Sequence, residues 1–249
     1  MFEPRVALAS LSGESDAAWA LAGAERAGAA FLGGLALDGP TREAARRMVA
    51  DRDRTEFLPA DPFAFLEREL AALDDAGLRA GFNVRATDAE ALGRAARICA
   101  AHDAVCEVNA HCRQAEMCEA GAGESLLADP DRLADLVAAA AATDAVVSVK
   151  VRTEVDGVDL PALAADLERA GADALHVDAM DSEPVVGDVA DATDCFVVAN
   201  NGVRDRETVR EYLALGADAV SVGRPSDDPA VLARVADAVA DWRGEVGRP

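Results

Sequence analysis

Short apolar runs alternate with amphipathic stretches along the whole chain. RVALAS from Arg5, AAFLGGLAL from Ala29, RAGFNVRA from Arg79, VCEVNA from Val105, VVSVKVR from Val146, ADALHVDAM from Ala172, CFVVANNG from Cys195 and AVSVGR from Ala219 read as eight strands. Between them lie segments of helical periodicity opened by N-cap signals. These are Ser15 and Asp16, Asp61 with Pro62, Asp88, Asp129 with Pro130, Asp159 with Pro161, Asp205, and Asp228 with Pro229. Eight βα units in a row predict the α/β class and a (β/α)8 TIM barrel, a single domain over residues 1–249. A doubly wound open sheet is the alternative, and the strand count disfavours it.

A closed parallel barrel sends all its strand ends to one face. Ser10, Asn83, Asn109, His111, Cys112, Lys150, Asp178, Asn200, Asn201, Gly202, Gly223 and Arg224 are therefore expected to converge there. Cys112, just past the fourth strand and followed by a glycine-bearing loop, is a candidate nucleophile or proton donor; it could equally be a small buried hydrophobe. NNG at Asn200–Gly202 and VGR ending at Arg224 close the last two strands, where barrel enzymes commonly hold a phosphate. Gly202 permits close backbone approach and Arg224 offers a forked cation, although each tripeptide alone reads equally as a turn.

Composition changes this picture at one position. Acidic residues outnumber basic ones 46 to 24, a formal net charge of −22, and the cations are arginines except for Lys150. The acid excess suggests adaptation to high salt, where a Debye length of about 3 Å screens the repulsion that such a surface presents to polyanions. A lone lysine inside a strand, in a chain that otherwise uses arginine, points to a tight site needing a compact ammonium; a chance survivor that snorkels from a strand end is the alternative. Five cysteines without a CxxC pair argue against a disulfide framework or a standard zinc site. No apolar run approaches the ~18 residues of a membrane span, and the start of the chain lacks a secretory pattern, so a cytoplasmic protein with no membrane partner is expected.

The same residues resemble the tRNA-dihydrouridine synthases and their shorter archaeal relatives, which are FMN-dependent barrel enzymes. EVNAHC followed by GAGESLLADP is similar to that family's strand-four motif of asparagine, glycine, catalytic cysteine and Gly-rich loop, and VSVKVR to its strand-five motif with a flavin-contacting lysine. RVALASLSGESD resembles the first strand and loop, and Asn83 in FNVRATD stands where the family usually has a flavin-contacting glutamine. ANNGVRDRET and AVSVGR resemble its phosphate-binding ends. The chain departs from the pattern in places. The family's Gly-Cys-Pro is here His111-Cys112-Arg113. Its strand-six histidine falls on Asp178, for which His176 could compensate from deeper in the barrel unless it is a satisfied core histidine.

The resemblance implies that Cys112 donates a proton to C5 of uracil while hydride from FMN reaches C6, with His111 tuning the cysteine. It further implies that Lys150 lies against the flavin ring, that Ser10, Asn83, Asn109, His176, Asp178, Asn200, Asn201, Gly202, Gly223 and Arg224 hold the cofactor, and that NADPH or NADH is the reductant. tRNA is the implied partner. The acid excess, and a chain ending in one helix where the bacterial enzymes continue into a helical RNA-binding domain, favour instead a small unsaturated substrate such as a free pyrimidine, as in a dihydroorotate dehydrogenase. A phosphate-binding barrel without flavin is the third reading.

Overall fold

The computed structural model describes residues 1–52 and 54–246. Strands β1 (Val6–Leu8), β2 (Ala29–Ala36), β3 (Arg79–Arg85), β4 (Val105–Asn109), β5 (Val146–Arg152), β6 (Ala174–Asp178), β7 (Phe196–Asn200) and β8 (Ala219–Val222) pair in parallel in chain order. β8 closes on β1 through Val6↔Val220, Ala7↔Ser221 and Leu8↔Val222, so the expected barrel is the observed fold and no sheet edge is left open.

Helices α1 (Ala17–Gly23), α3 (Pro62–Ala71), α4 (Ala89–Ala101), α6 (Pro130–Ala141), α7 (Leu160–Arg169), α9 (Arg206–Ala214) and α10 (Pro229–Val246) follow the N-cap signals. The Asp16, Asp61, Asp88, Asp129, Asp159 and Asp205 carboxylates each accept a backbone N–H of the first turn, which would otherwise have no partner. Three helices lie outside the sequence expectation: α2 (Gly39–Arg52), α5 (Ala115–Glu119) and α8 (Pro184–Ala192). α2 buries Thr41, Ala44, Ala45 and Met48, a face on which Met48 is the one large apolar side chain. Its start is held by Asp38, which accepts from the Thr41 N–H and also from those of Thr87 and Asp88, tying the loop after β3 to that after β2.

Strand alternation divides the barrel into an outside and an inside. In β4, Cys106 and Val108 join the large apolar cluster under the helices, while Val105, Glu107 and Asn109 face the interior. The lower interior is an apolar plug of Phe2, Phe31, Val105 and Val198 with alanines from β1, β2 and β8. One inward position higher the chemistry changes to Asn83, Glu107, Ser148, His176 and Ser221, all with zero exposure. Above these, at the carboxyl ends, stand Asn109, Lys150, Arg152, Asp178 and Asn200.

Candidate active site

Strand β4 ends in a turn built on one side chain. Asn109 Oδ1 accepts the backbone N–H of His111 (3.2 Å) and of Cys112 (2.9 Å), the self-bonded turn that asparagine favours, and this fixes the cysteine just beyond the strand. The loop then returns over it: Cys112 O accepts from the Glu124 N–H (2.9 Å), and a Cβ at Gly123 would meet that carbonyl oxygen at 2.2 Å. Glycine is thus required at position 123, whose φ is +65°. Cys112 is 8% exposed, packed among Ala44, Met48, Met117 and Ala122 with one side toward the barrel mouth.

Beneath the mouth a hydrogen-bonded chain crosses the barrel. Asn109 Nδ2 donates to Asn83 Oδ1 (2.8 Å), and Asn83 Nδ2 donates to Glu107 Oε1 (2.8 Å). Glu107 Oε2 accepts from His176 Nδ1 (2.7 Å), whose Nε2 accepts from the Ser221 hydroxyl (2.7 Å), which in turn accepts from Asn200 Nδ2 (2.8 Å). Burial raises the Glu107 carboxyl, but His176, Lys150 and the Asn83 amide outweigh it and bring the group below its ordinary value. Burial pushes the His176 imidazole down, and Lys150 adds to the effect. The pair is therefore a carboxylate accepting from a neutral histidine.

His176 is fully buried in this network and does not line the cavity; of the two readings the sequence left open for it, its position is that of a satisfied core histidine. What stands at the mouth is Asp178, paired with His111 Nε2 at 2.5 Å. Burial opposes ionisation of Asp178, yet the His111 hydrogen bond, Lys150 and the Met180 N–H lower its carboxyl to about 2. Burial likewise pushes His111 below its ordinary value, with Lys150 and Arg152 assisting against the pull of Asp178. His111 thus serves Asp178 as a neutral donor through Nε2. Asp178 Oδ1 also accepts from Asn201 Nδ2 (3.0 Å).

Lys150 lies between these two acids. Burial drives its ammonium below the ordinary value while Glu107 and Asp178 pull it back up. It faces the cavity, and among the described residues no hydrogen bond or ion pair engages it. The cavity has a volume of about 710 Å³ and is walled by every expected site residue except His176. Across it from Cys112, Gly202 (φ +67°) and Gly223 leave open space: a Cβ at Gly223 would meet nothing within 4 Å, and one at Gly202 only the tip of Arg204. A free ammonium in the wall, two open glycines and the exposed Arg224 suit a planar ligand that carries a phosphate.

Several residues of the site were not foreseen. Glu107 shares its strand face with Asn109 at a spacing of two, and Ser221 likewise falls on the inward face of β8; strand alternation was the signal available for both. Arg85 is 2% exposed and donates to Glu56 Oε2 (2.7 Å) and Ser12 Oγ (2.5 Å). Burial would lower its guanidinium, but Cys112 and Glu56 raise it above the ordinary value. Nothing local in the sequence marks that pair. Among the described residues no cluster of three or more His, Cys, Asp or Glu is placed to hold a metal, and no helix is long and apolar enough to cross a membrane.

A closed barrel with a lysine and a cysteine at neighbouring strand ends, facing glycines and cations across the mouth, is the arrangement of a barrel enzyme that holds a phosphate-bearing ligand at its strand ends. Morphinone reductase, solved with tetrahydroNAD, shares the fold: TM-score 0.64 at 15% identity, over 92% of this chain and 86% of that one. The family model for dihydrouridine synthase matches residues 37–244, and the chain belongs to that family, as a flavin-dependent oxidoreductase. Its relatives include an uncharacterized protein of Methanocaldococcus jannaschii, 25% identical over 235 residues and 89% of both chains. Another is tRNA-dihydrouridine synthase B of Xanthomonas campestris pv. campestris, 27% identical over 221 residues, 82% of this chain and 67% of that protein.

Proposed function

We propose that the protein reduces the C5–C6 double bond of a uracil base, with FMN as its flavin and NADPH or NADH as reductant. The observation that carries this reading is that Cys112 and Lys150 line one cavity, with Asn109 and Lys150 paired in register on adjacent strands. When bound, FMN would supply hydride to uracil C6. The protein's own groups do the rest. Lys150 offers an unpaired ammonium in a dry wall, where a cation stabilises negative charge most effectively. Gly202, Gly223 and Arg224 would receive the phosphate.

Cys112 is the proposed proton donor at C5: its S–H breaks as the C5–H bond forms, and solvent restores the thiol. Asn109 holds the cysteine at the mouth through its backbone N–H. Asp178 stays an anion, its oxygens taken up by hydrogen bonds from His111 and Asn201 and its charge offset by the nearby Lys150 ammonium. Ser10, Asn83 and Asn200 supply the remaining polar wall. The proposed substrate is uridine in RNA, tRNA being what the name of the Xanthomonas relative specifies. The test is to assay RNA from a strain lacking the gene for dihydrouridine. Loss of the modified base, restored by the purified protein with NADPH or NADH, is the expected result; unchanged dihydrouridine overturns the reading.

A further inference from the structure

The buried polar layer beneath the cavity is balanced in charge. Glu107 is its carboxylate and Lys150, just above, its cation; Asn83, Ser148, Ser221 and Asn200 are neutral. His176 is held neutral by burial, with Lys150 and His111 assisting against the pull of Glu107. It is therefore the one base of the layer that can still gain a charge. Glu107 of β4 accepts from its Nδ1 (2.7 Å), Ser221 of β8 donates to its Nε2 (2.7 Å), and the Phe31 ring of β2 lies 5.2 Å from its own, centroid to centroid.

The Ser221 hydroxyl has two acceptors within reach. It donates to His176 Nε2, and Ala199 O lies 3.5 Å from the same oxygen. Asn200 Nδ2 donates to that oxygen at 2.8 Å in either arrangement. If Nε2 gains a proton, the imidazolium donates to Ser221 Oγ across the existing contact, and the hydroxyl turns to Ala199 O. Each polar hydrogen keeps an acceptor, so the layer accommodates a second protonation state with its heavy atoms close to their places. His111 has no such arrangement: its Nε2 serves Asp178 at 2.5 Å, and among the described residues no group accepts from its Nδ1. Ser221 and Asn200 line the cavity, so this end of the chain of hydrogen bonds opens on the space proposed for the flavin.

Hydride transfer from a nicotinamide adds two electrons and one proton to a flavin and leaves it one unit more negative. In a site shielded from water, an added charge favours a compensating one nearby. We propose that His176 takes up a proton when the flavin is reduced. A solvent proton reaches Ser221 Oγ as the Ser221 hydroxyl proton passes to His176 Nε2, one O–H bond breaking as another forms. His176 becomes an imidazolium paired with Glu107, and the layer gains the positive charge that offsets the reduced flavin. The proton returns by the same route when hydride passes on to the substrate. His176 is a positioning residue in this scheme: it lies outside the cavity lining and acts through Ser221. The inference rests on the proposed flavin and is independent of which substrate is reduced.

The chain has three histidines, His102, His111 and His176, so ring-nitrogen NMR of the flavin-loaded protein, isotope-labelled in histidine, can follow each one. His102→Gln and His111→Gln assign the signals by elimination. With FMN oxidised, His176 should show one protonated and one bare ring nitrogen; after anaerobic reduction with dithionite, both should be protonated. The flavin reduction potential should also fall more steeply with pH in the parent than in His176→Gln, by the equivalent of about one proton per flavin reduced. A His176 ring that stays neutral in the reduced protein, a charge that appears on His111 instead, or parallel potential profiles overturn the inference and leave the flavin in place. Should His176→Gln fail to fold, the spectra of the parent decide alone. A folded protein that binds no FMN overturns the proposed flavin and this inference with it.

Discussion

The lower and upper interiors of the barrel are both built from inward-facing strand positions and have opposite chemistry. Val105, Phe31 and Val198 fill the floor; one inward step above Val105 on β4 stands Glu107, bonded to Asn83 of β3 and His176 of β6. The floor gains stability by removing apolar surface from water, with no demand on orientation. The layer above is costly to bury and persists because its polar members satisfy one another. It ends at Asn109 and so holds Cys112. Strand alternation thus builds a support below and a positioned site above from one backbone pattern.

The comparison breaks most sharply at the top of the upper layer. Cys112→Ala should leave flavin bound and reducible by nicotinamide while slowing substrate reduction by about 10²- to 10⁴-fold, the usual contribution of a positioned acid. Cys118, whose thiol donates to Cys112 O at 3.5 Å, is the control. Stopped-flow traces of the two half-reactions separate the effects; equal loss in Cys118→Ala would contradict a single proton donor.

Within the polar layer, Glu107→Leu leaves His176 Nδ1 and Asn83 Nδ2 without their acceptor and Lys150 without its inner counter-charge. A loss of about 3–5 kcal/mol is expected, as when one partner of a buried ion pair is removed. On the floor, Phe31→Leu should cost less than about 1.5 kcal/mol, because the apolar neighbours can repack. Denaturant midpoints in high salt measure both, and equal losses would erase the distinction between the two regions.

The alternation that separates floor from site was legible in the sequence, and with it the eight strands. Cys112 and Lys150 stood out because both fall at strand ends. What escaped were pairs closed by the register of the barrel. Glu107 and His176 are 69 residues apart, and His111 and Asp178 are 67 apart; no local pattern says that either pair meets. For His176 the sequence left open a cofactor contact or a satisfied core position, and only the bonds of its ring to Glu107 and Ser221 separate the two. α2 was missed because Thr41, Ala44 and Ala45 give its buried face little apolar contrast, and α8 because its nine residues bury only Val186 and Val189.

A finer probe is Lys150→Arg, which keeps the charge and enlarges the head in a closed wall. Weaker flavin retention or a lowered flavin reduction potential is expected, measured by dialysis and redox titration; no change in either would make the lysine incidental.

The smallest effect expected is on pH. The His111 and His176 values lie below the ordinary 6.5, so the unfolded chain takes up protons first on acidification, and their contribution is present above 6.5 and lost as pH falls below it. Asp178, lowered from 3.8 to about 2, contributes above 3.8 and loses that contribution as pH falls through about 2. Comparing His176→Gln with the parent isolates the first window from the surface acids. The variant's denaturant midpoint should fall less steeply below pH 6.5; parallel profiles would contradict a neutral buried histidine.

The account stands on a flavin seated between the Lys150 wall and the open glycines. Titration of the purified protein with FMN in molar potassium chloride tests this most directly. The expected result is saturable uptake with a perturbed flavin absorption band, weakened by Arg224→Ala. A protein that is folded by circular dichroism and takes up no FMN would contradict it.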